Sequence, residues 1–358
     1  MDNSEISDLR GENEFRGVTF SKFKKAEVKK ELLNSLINSK IEPACYWSAE
    51  LICSGHYGDL WEIILLFFSK YVHLGNSSIG IYIELRINDF KSILNNGYSE
   101  NTLRLRNNDK IRKLFCEIMC VLCDAKRRHS FDNVKIKPDD LNMFVIKDKF
   151  KAPTTLYGEE VFTTEDPKEL FPFINELAYN VTESGNNQMM ACYWIEWIFE
   201  FENRCKVKKE KIFCERRNFA KVDTKCQKDI VWMIWDIFLK ESEKRTKVIQ
   251  KIINSLLSLF CLKYTTGCHK KRKNLMYLAI SILCEKFVLE KEIIRHTQAE
   301  LVNNIKQKID LVYSQIKKNE ESTGTDYLFL GLKSSNLEST IKKLEQMNSF
   351  GETFVPRV

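Results

Sequence analysis

Glycine and proline are scarce. The chain holds 13 and 6 of them in 358 residues, too few for the many tight turns of an all-β protein, so long uninterrupted helices are expected. Long apolar runs are missing as well, and none approaches the roughly 18 residues that a membrane-spanning helix needs. The Met1–Arg10 start is polar and acidic rather than basic and then apolar, unlike a secretory signal, so an intracellular setting without membrane attachment is expected. Neither sign of charge dominates: 56 Lys and Arg against 49 Asp and Glu leave +7, compatible with an anionic partner but far from the density of a histone-like binder.

Catalytic signatures are missing too. No GxxxxGK[ST] or GxGxxG offers the backbone N–H groups that cradle a phosphate, and Gly75–Gly80, the nearest glycine-flanked loop, reads as a helix–helix turn. There is no G-x-S-x-G elbow and no HExxH. The five histidines, His56, His73, His129, His269 and His296, include no pair four apart on a helix that could share a metal. After Pro138-Asp139 the segment Phe144–Lys147 lacks the acidic residue that a PD…(D/E)xK nuclease places two before its lysine. No cofactor and no catalytic residue follow from the sequence, and a non-enzymatic role is expected.

What is present is an ordinary globular balance, 44% hydrophobic and 29% charged, enough for one large core or two of ordinary size. Residues 1–26 are polar and read as a tail. From Glu27 the periodicity turns helical, with Val28, Leu32, Leu33, Leu36 and Ile37 on one face. Further helices are expected from Pro43 to near Gly55, Asp59 to His73, Ile79 to Leu94 and Asp109 to Ala125. The same order then recurs. Helical text at Pro167–Val181 precedes Ala191-Cys192-Tyr193-Trp194, which repeats Ala44-Cys45-Tyr46-Trp47; Trp235-Asp236-Ile237 follows as Trp61-Glu62-Ile63 did; Leu283-Cys284-Glu285 answers Leu122-Cys123-Asp124. Three markers in one order, twice, point to duplication of a five-helix unit. The bland alternative is that Trp, Cys and Leu recur on buried faces of any protein.

The expected fold is therefore all-α: two tandem related five-helix bundles, residues 27–127 and 167–289, comparable by helix count to cyclin-like, clamp-loader-collar or HEAT packing. A partly irregular connector, 128–166, lies between them, with short strands expected at Val134–Ile136 and Phe144–Ile146. A long helix over 290–319 carries the stripe Leu301, Ile305, Ile309, Val312 and Ile316, which covers a domain edge or meets a partner helix. A weaker C-terminal tail, 320–358, holds one short helix at Leu337–Met347.

Twelve cysteines in an intracellular chain read as reduced core residues, Cys116, Cys120 and Cys123 among them. Cys205, Cys214 and Cys226, with Cys268 and His269 as distant partners, form the one zinc constellation to weigh. Their gaps of nine and twelve are wider than the two to four residues at which zinc ligands usually pair, so ordinary thiols are favoured. The six tryptophans sit within apolar helices and read as core. The carboxylates near them, Glu50, Glu62, Glu196 and Asp236, are expected at the boundary with a Lys or Arg partner.

Basic segments carry the functional signal. Arg204–Lys228, an insertion without counterpart in the first unit, holds ten Lys or Arg in 25 residues. The candidate nucleic-acid contacts are Arg127 and Arg128; Lys206, Lys208, Lys209, Lys211, Arg216 and Arg217; and Lys270, Lys271, Arg272 and Lys273. On one face they would neutralise phosphates, the source of most sequence-independent affinity. A merely solvated basic surface is the plain alternative.

Four phrases, ACYWSAELICSG at 44–55, ACYWIEWI at 191–198, CERR at 214–217 and TDYLF at 325–329, resemble a conserved protein of nucleocytoplasmic large DNA viruses, the mimivirus- and phycodnavirus-like giant viruses, over about residues 28–350. No assigned activity comes with that resemblance, hence no functional residue. It implies a viral factory in host cytoplasm, or the virion. The functional expectation is a non-catalytic scaffold or adaptor that docks viral or host proteins in replication, transcription or mRNA handling, its basic loops touching DNA or RNA. The alternatives are a structural virion component and an enzyme with an unrecognised acidic or metal site. Oligomeric state is not legible.

Overall fold

Helices begin where short polar side chains can satisfy the first free N–H groups. Asn108 accepts from Ile111 N at the start of α6 (Asp109–Asp124), Asn187 from Met190 N at the start of α10 (Gln188–Val207), and Thr246 from Ile249 N at the start of α12 (Lys247–Phe260). The other long helices are α1 (Lys25–Ile37), α2 (Ile41–Cys53), α3 (Tyr57–Phe67), α4 (Ile79–Ile93), α9 (Phe171–Val181), α11 (Val231–Glu243), α13 (His269–Cys284), α14 (His296–Lys308) and α15 (Asp310–Lys317). Short helices α5 (Thr102–Arg106), α7 (Met143–Ile146) and α8 (Leu156–Glu159) lie in the connections. The computed structural model describes residues 4–321 apart from 9, 12, 99–101, 132–133, 288, 290–292 and 295. The expected helix at Leu337–Met347 and the TDYLF phrase lie outside the described residues. Among these, no strand forms, only isolated bridges between Val18 and Lys24 and between His73 and Arg128. The fold is all-α, and no helix is long and apolar enough to cross a membrane.

The chain divides into two compact units, the first drawing its described residues from 1–67, 85–125 and 291–358, the second from 68–84 and 126–290. The expected division into successive stretches differs because packing partners, not neighbours in sequence, decide membership. In the first unit α2 packs against α1, α3 and α6, while α1 also meets α3 and α6. Phe90 of α4, Tyr57 and Trp61 of α3 and Phe115 of α6 form one ring cluster, with Trp61–Phe115 centroids 5.0 Å apart. In the second unit α9 packs against α10, α11 and α13, and α13 also meets α10, α11 and α12. Phe173 stacks on Trp197 at 3.4 Å, and Trp235 and Trp232 both meet Phe260. All six tryptophans are buried, as their apolar surroundings predict.

Two segments read as loose in sequence are packed instead. The supposed tail buries Ile6, Phe15, Phe20 and Phe23, the last edge-on to Trp47. Its polar backbone finds tertiary partners: Ile6 exchanges two hydrogen bonds with the Asn107 amide, Phe20 N donates to Ser54 Oγ, and Ser21 N donates to Glu50. An acid count does not register such partners. The supposed connector likewise lies on α9 and α10, where Phe150 stacks on Trp194, Trp197 Nε1 donates to Asp140 O, and Glu176 accepts from Lys151 N and Ala152 N. Its expected strands are absent: 134–136 is irregular, and Asn142 caps Phe144 into α7.

The expected long C-terminal helix is two helices, because Val312 N reaches back only to Ile309 O and tightens the turn there. Its stripe still does one of the two things foreseen: Ile305, Ile309, Val312 and Ile316 are buried, with α14 against α6 and α15 against α2.

Candidate nucleic-acid interface and a buried thiol group

Helices α10 and α13 of the second unit run antiparallel. Glu196 pairs with Lys273 at 2.8 Å, Glu202 lies 3.3 Å from His269, and Lys270 donates to Asn203 at 3.5 Å, so α13 recedes as α10 advances. The C-terminal end of α10 thus meets the N-terminal end of α13, and two of the three basic segments come together. Lys206, Lys208 and Lys209 lie exposed at one helix end, Lys270 and Lys271 at the other. Glu202 and the exposed Glu210 are the acids in their midst; burial alone would raise the pKa of Glu202, but His269 at 3.3 Å and Lys206 at 2.7 Å hold it below the usual carboxylate range. Among the described residues no carboxylate pairs with Lys208, Lys209, Lys211, Lys270 or Lys271.

The charge on α13 opposes the helix's own stability. Its first turn carries no acidic residue and no side-chain cap, and holds Lys270, Lys271 and Arg272, with Lys273 next, where the macrodipole is already positive. Cations at the end of α10, Arg204 and Lys206, sit where the dipole favours them. The two ends together make a focus of positive potential. A depression of about 230 Å³ opens beside it, ringed by Ile136, Glu196, Phe199, Glu200, Lys270 and Lys273.

Other sequence candidates lie elsewhere. Arg217 is a structural pin rather than a contact residue: buried, it pairs with Asp166 at 2.6 Å and Asp236 at 3.0 Å and donates to Val161 O. Its neighbour Arg216 points out and donates to Gln227. Arg272 is also buried, its guanidinium donating to Phe260 O. Arg128 pairs with Glu285, just past the C-terminus of α13, with Arg127 beside it. Sixteen residues of helix at a rise of 1.5 Å put that end about 24 Å from Lys270, so Arg127 and Arg128 do not join the cluster. Alternation of facing along a chain is invisible when only basic residues are counted.

The carboxylates follow expectation in part. Glu196 pairs with Lys273 and accepts from Tyr277, and Asp236 pairs with Arg217. Glu50 departs from it: fully buried and without a cation partner at contact distance, it accepts from Ser21 N at 2.6 Å and Ser21 Oγ at 2.9 Å, and burial pushes its pKa up.

The weighed zinc constellation is not gathered. Cys214 Sγ donates to backbone carbonyls of Lys228 and Asp229, Cys226 lies by Thr266, and His269 faces Glu202. A different group converges in the first unit. Cys45 of α2 and Cys116 and Cys120 of α6 are buried, with all three Sγ atoms within 4.8 Å of one another and Cys45–Cys116 at 4.0 Å. Contacts among the three thiols push Cys45 and Cys116 up and bring Cys120 down from the ordinary thiol pKa. The Cys116/Cys120 spacing of one helical turn was legible; Cys45, 71 residues before Cys116, was not. All twelve cysteines are free.

Comparison with protein families, with curated proteins and with solved structures finds no match for this chain.

Proposed function

We propose that the protein is a non-catalytic helical scaffold whose second unit binds DNA or RNA through the joined ends of α10 and α13. On this reading it docks viral or host proteins on the helical body in viral replication, transcription or mRNA handling; the resemblance to a giant-virus protein implies only the setting, host cytoplasm or the virion.

The reading rests on one contrast. Some helix pairings recur, α1 with α2 and α3 and α6 with α1 and α2 matching α9 with α10 and α11 and α13 with α9 and α10, while α2 on α3 and α13 on α11 are particular to one unit. Each begins with an irregular arm that lays a phenylalanine on the tryptophan of the repeated tetrapeptide, Phe23 on Trp47 and Phe150 on Trp194. These likenesses support duplication and make α6 the counterpart of α13. Helix α6 starts with an Asn108 cap and Asp109, as stability favours, ahead of Lys110, Arg112 and Lys113. Helix α13 starts with cations and no cap. Four cations with neither cap nor acid in one copy, against three behind a cap and an aspartate in the other, are well accounted for by an anionic ligand.

Fluorescence anisotropy with labelled duplex DNA and single-stranded RNA tests it. Four phosphate contacts give a slope of log K against log salt of about −3 to −4. Joint replacement of Lys208, Lys209, Lys270 and Lys271 by Glu removes that slope, whereas Lys24→Glu with Lys110→Glu, exposed residues of the first unit, leaves it intact. Unchanged affinity in the fourfold variant would sink the proposal.

A further inference from the structure

The buried thiol group has the makings of a metal site, separate from the basic surface. Cys116 and Cys120 stand one turn apart on α6, the spacing at which two side chains of one helix reach a single ion, and Cys45 comes from the facing α2. Zn–S bonds of about 2.3 Å in tetrahedral array place thiolates about 3.8 Å apart. Cys45 and Cys116 are 4.0 Å apart, and Cys120 lies within 4.8 Å of both, so only small rotamer adjustments separate the three from that geometry.

Two further observations bear on the choice of ion. Beside the group, Glu117 is shared between Lys306 at 2.5 Å and Arg86 at 3.1 Å, and Arg86 also pairs with Asp89 at 2.9 Å, so the neighbouring charges balance. Three thiolates around a divalent ion keep one net negative charge and around a monovalent ion two, the larger charge being costlier to bury. The packing itself does not demand sulfur here. On α13, counted back from Leu283-Cys284 as Cys116 and Cys120 are from Leu122-Cys123, stand Tyr277 and Ser281, and only Cys192 repeats a thiol. That comparison uses the duplication proposed above; the geometry stands without it.

We infer that Cys45, Cys116 and Cys120 form a three-thiolate site for a structural Zn2+ ion that ties α2 to α6. The thiol protons leave to solvent as the metal–sulfur bonds form, and because the ligands are buried the ion enters as the chain folds. Among the described residues no fourth protein side chain ligand stands with them, which leaves a position for a water or a backbone oxygen.

The test uses the full chain, purified under reducing conditions without a polyhistidine tag. Elemental analysis should find one zinc per chain, and growth in cobalt should give the thiolate-to-cobalt charge-transfer absorption of a tetrahedral site. Cys120→Ser should lose both, whereas Cys226→Ser should keep them. A buried Cys→Ser change can unfold the chain, so the unaltered protein provides a second readout. Apo-protein refolded with Zn2+ should show Cys45, Cys116 and Cys120 protected together from alkylation, with Cys53 and Cys261 unchanged, and a melting temperature that falls on chelation. A folded protein without zinc, whose triad thiols react alike with and without added Zn2+, overturns the inference. Zinc retained in a folded Cys120→Ser variant overturns the site, and copper found in place of zinc overturns the choice of ion.

Discussion

Glu50 shows how one buried carboxylate can both anchor and burden a fold. It holds Ser21 by two hydrogen bonds, yet burial raises its pKa, so the fold disfavours the ionised carboxylate. Glu50→Gln keeps an acceptor for Ser21 N and removes the charge; it should raise the melting temperature at pH 7, with the gain closing in acid as the wild-type carboxyl takes up its proton. Glu50→Ala leaves Ser21 N unpaired and should cost about 1–3 kcal/mol in urea denaturation. Arg217 carries more, since its removal strands Asp166 and Asp236. Arg217→Ala should cost about 3–5 kcal/mol, with nucleic-acid affinity of the folded fraction unchanged. His73 is buried with Nδ1 donating to Ser69 O and Nε2 accepting from Ser281, and burial lowers its pKa below 6.5. The unfolded chain therefore gains a proton that the folded state refuses, and stability should fall as pH drops through 6.5. Its φ of 49° suits asparagine, so His73→Asn should flatten that acid limb in pH-dependent thermal denaturation.

At the scale of elements, the aromatic seams decide which helices stay together. Phe173 of α9 lies between Phe150, Trp194 and Trp197, joining the irregular arm to α10. Phe173→Ala should cost about 3–5 kcal/mol by calorimetry, more than the 0.5 kcal/mol or so of an exposed change. The helices themselves were readable from sequence: Ile79 and Asp109 start α4 and α6 as expected, because caps and apolar periodicity act within a few residues. Facing within a basic run was less readable. Arg216 and Arg217 are neighbours, yet one meets water and the other two aspartates; the difference comes from Asp166 and Asp236, which only packing brings there.

For the whole molecule, the first unit is assembled from stretches far apart in the chain. Its N-terminal arm and α14–α15 add Ile6, Phe15, Phe20, Ile305, Ile309, Val312 and Ile316 to a single core. Deleting residues 1–26 would be harmless for a polar tail; here it should lower the melting temperature by many degrees and expose apolar surface to a dye such as ANS, and differential scanning fluorimetry decides between the two. The sequence by itself determined the all-α class, the long helices, the buried tryptophans and the free thiols, since these follow from periodicity, caps and side-chain hydrophobicity. Only the tertiary structure decided which arm packs, which cations face water, where the units divide and which three thiols converge. Each of those depends on partners separated by tens to hundreds of residues, whose meeting is fixed by packing of the whole core and leaves no local trace.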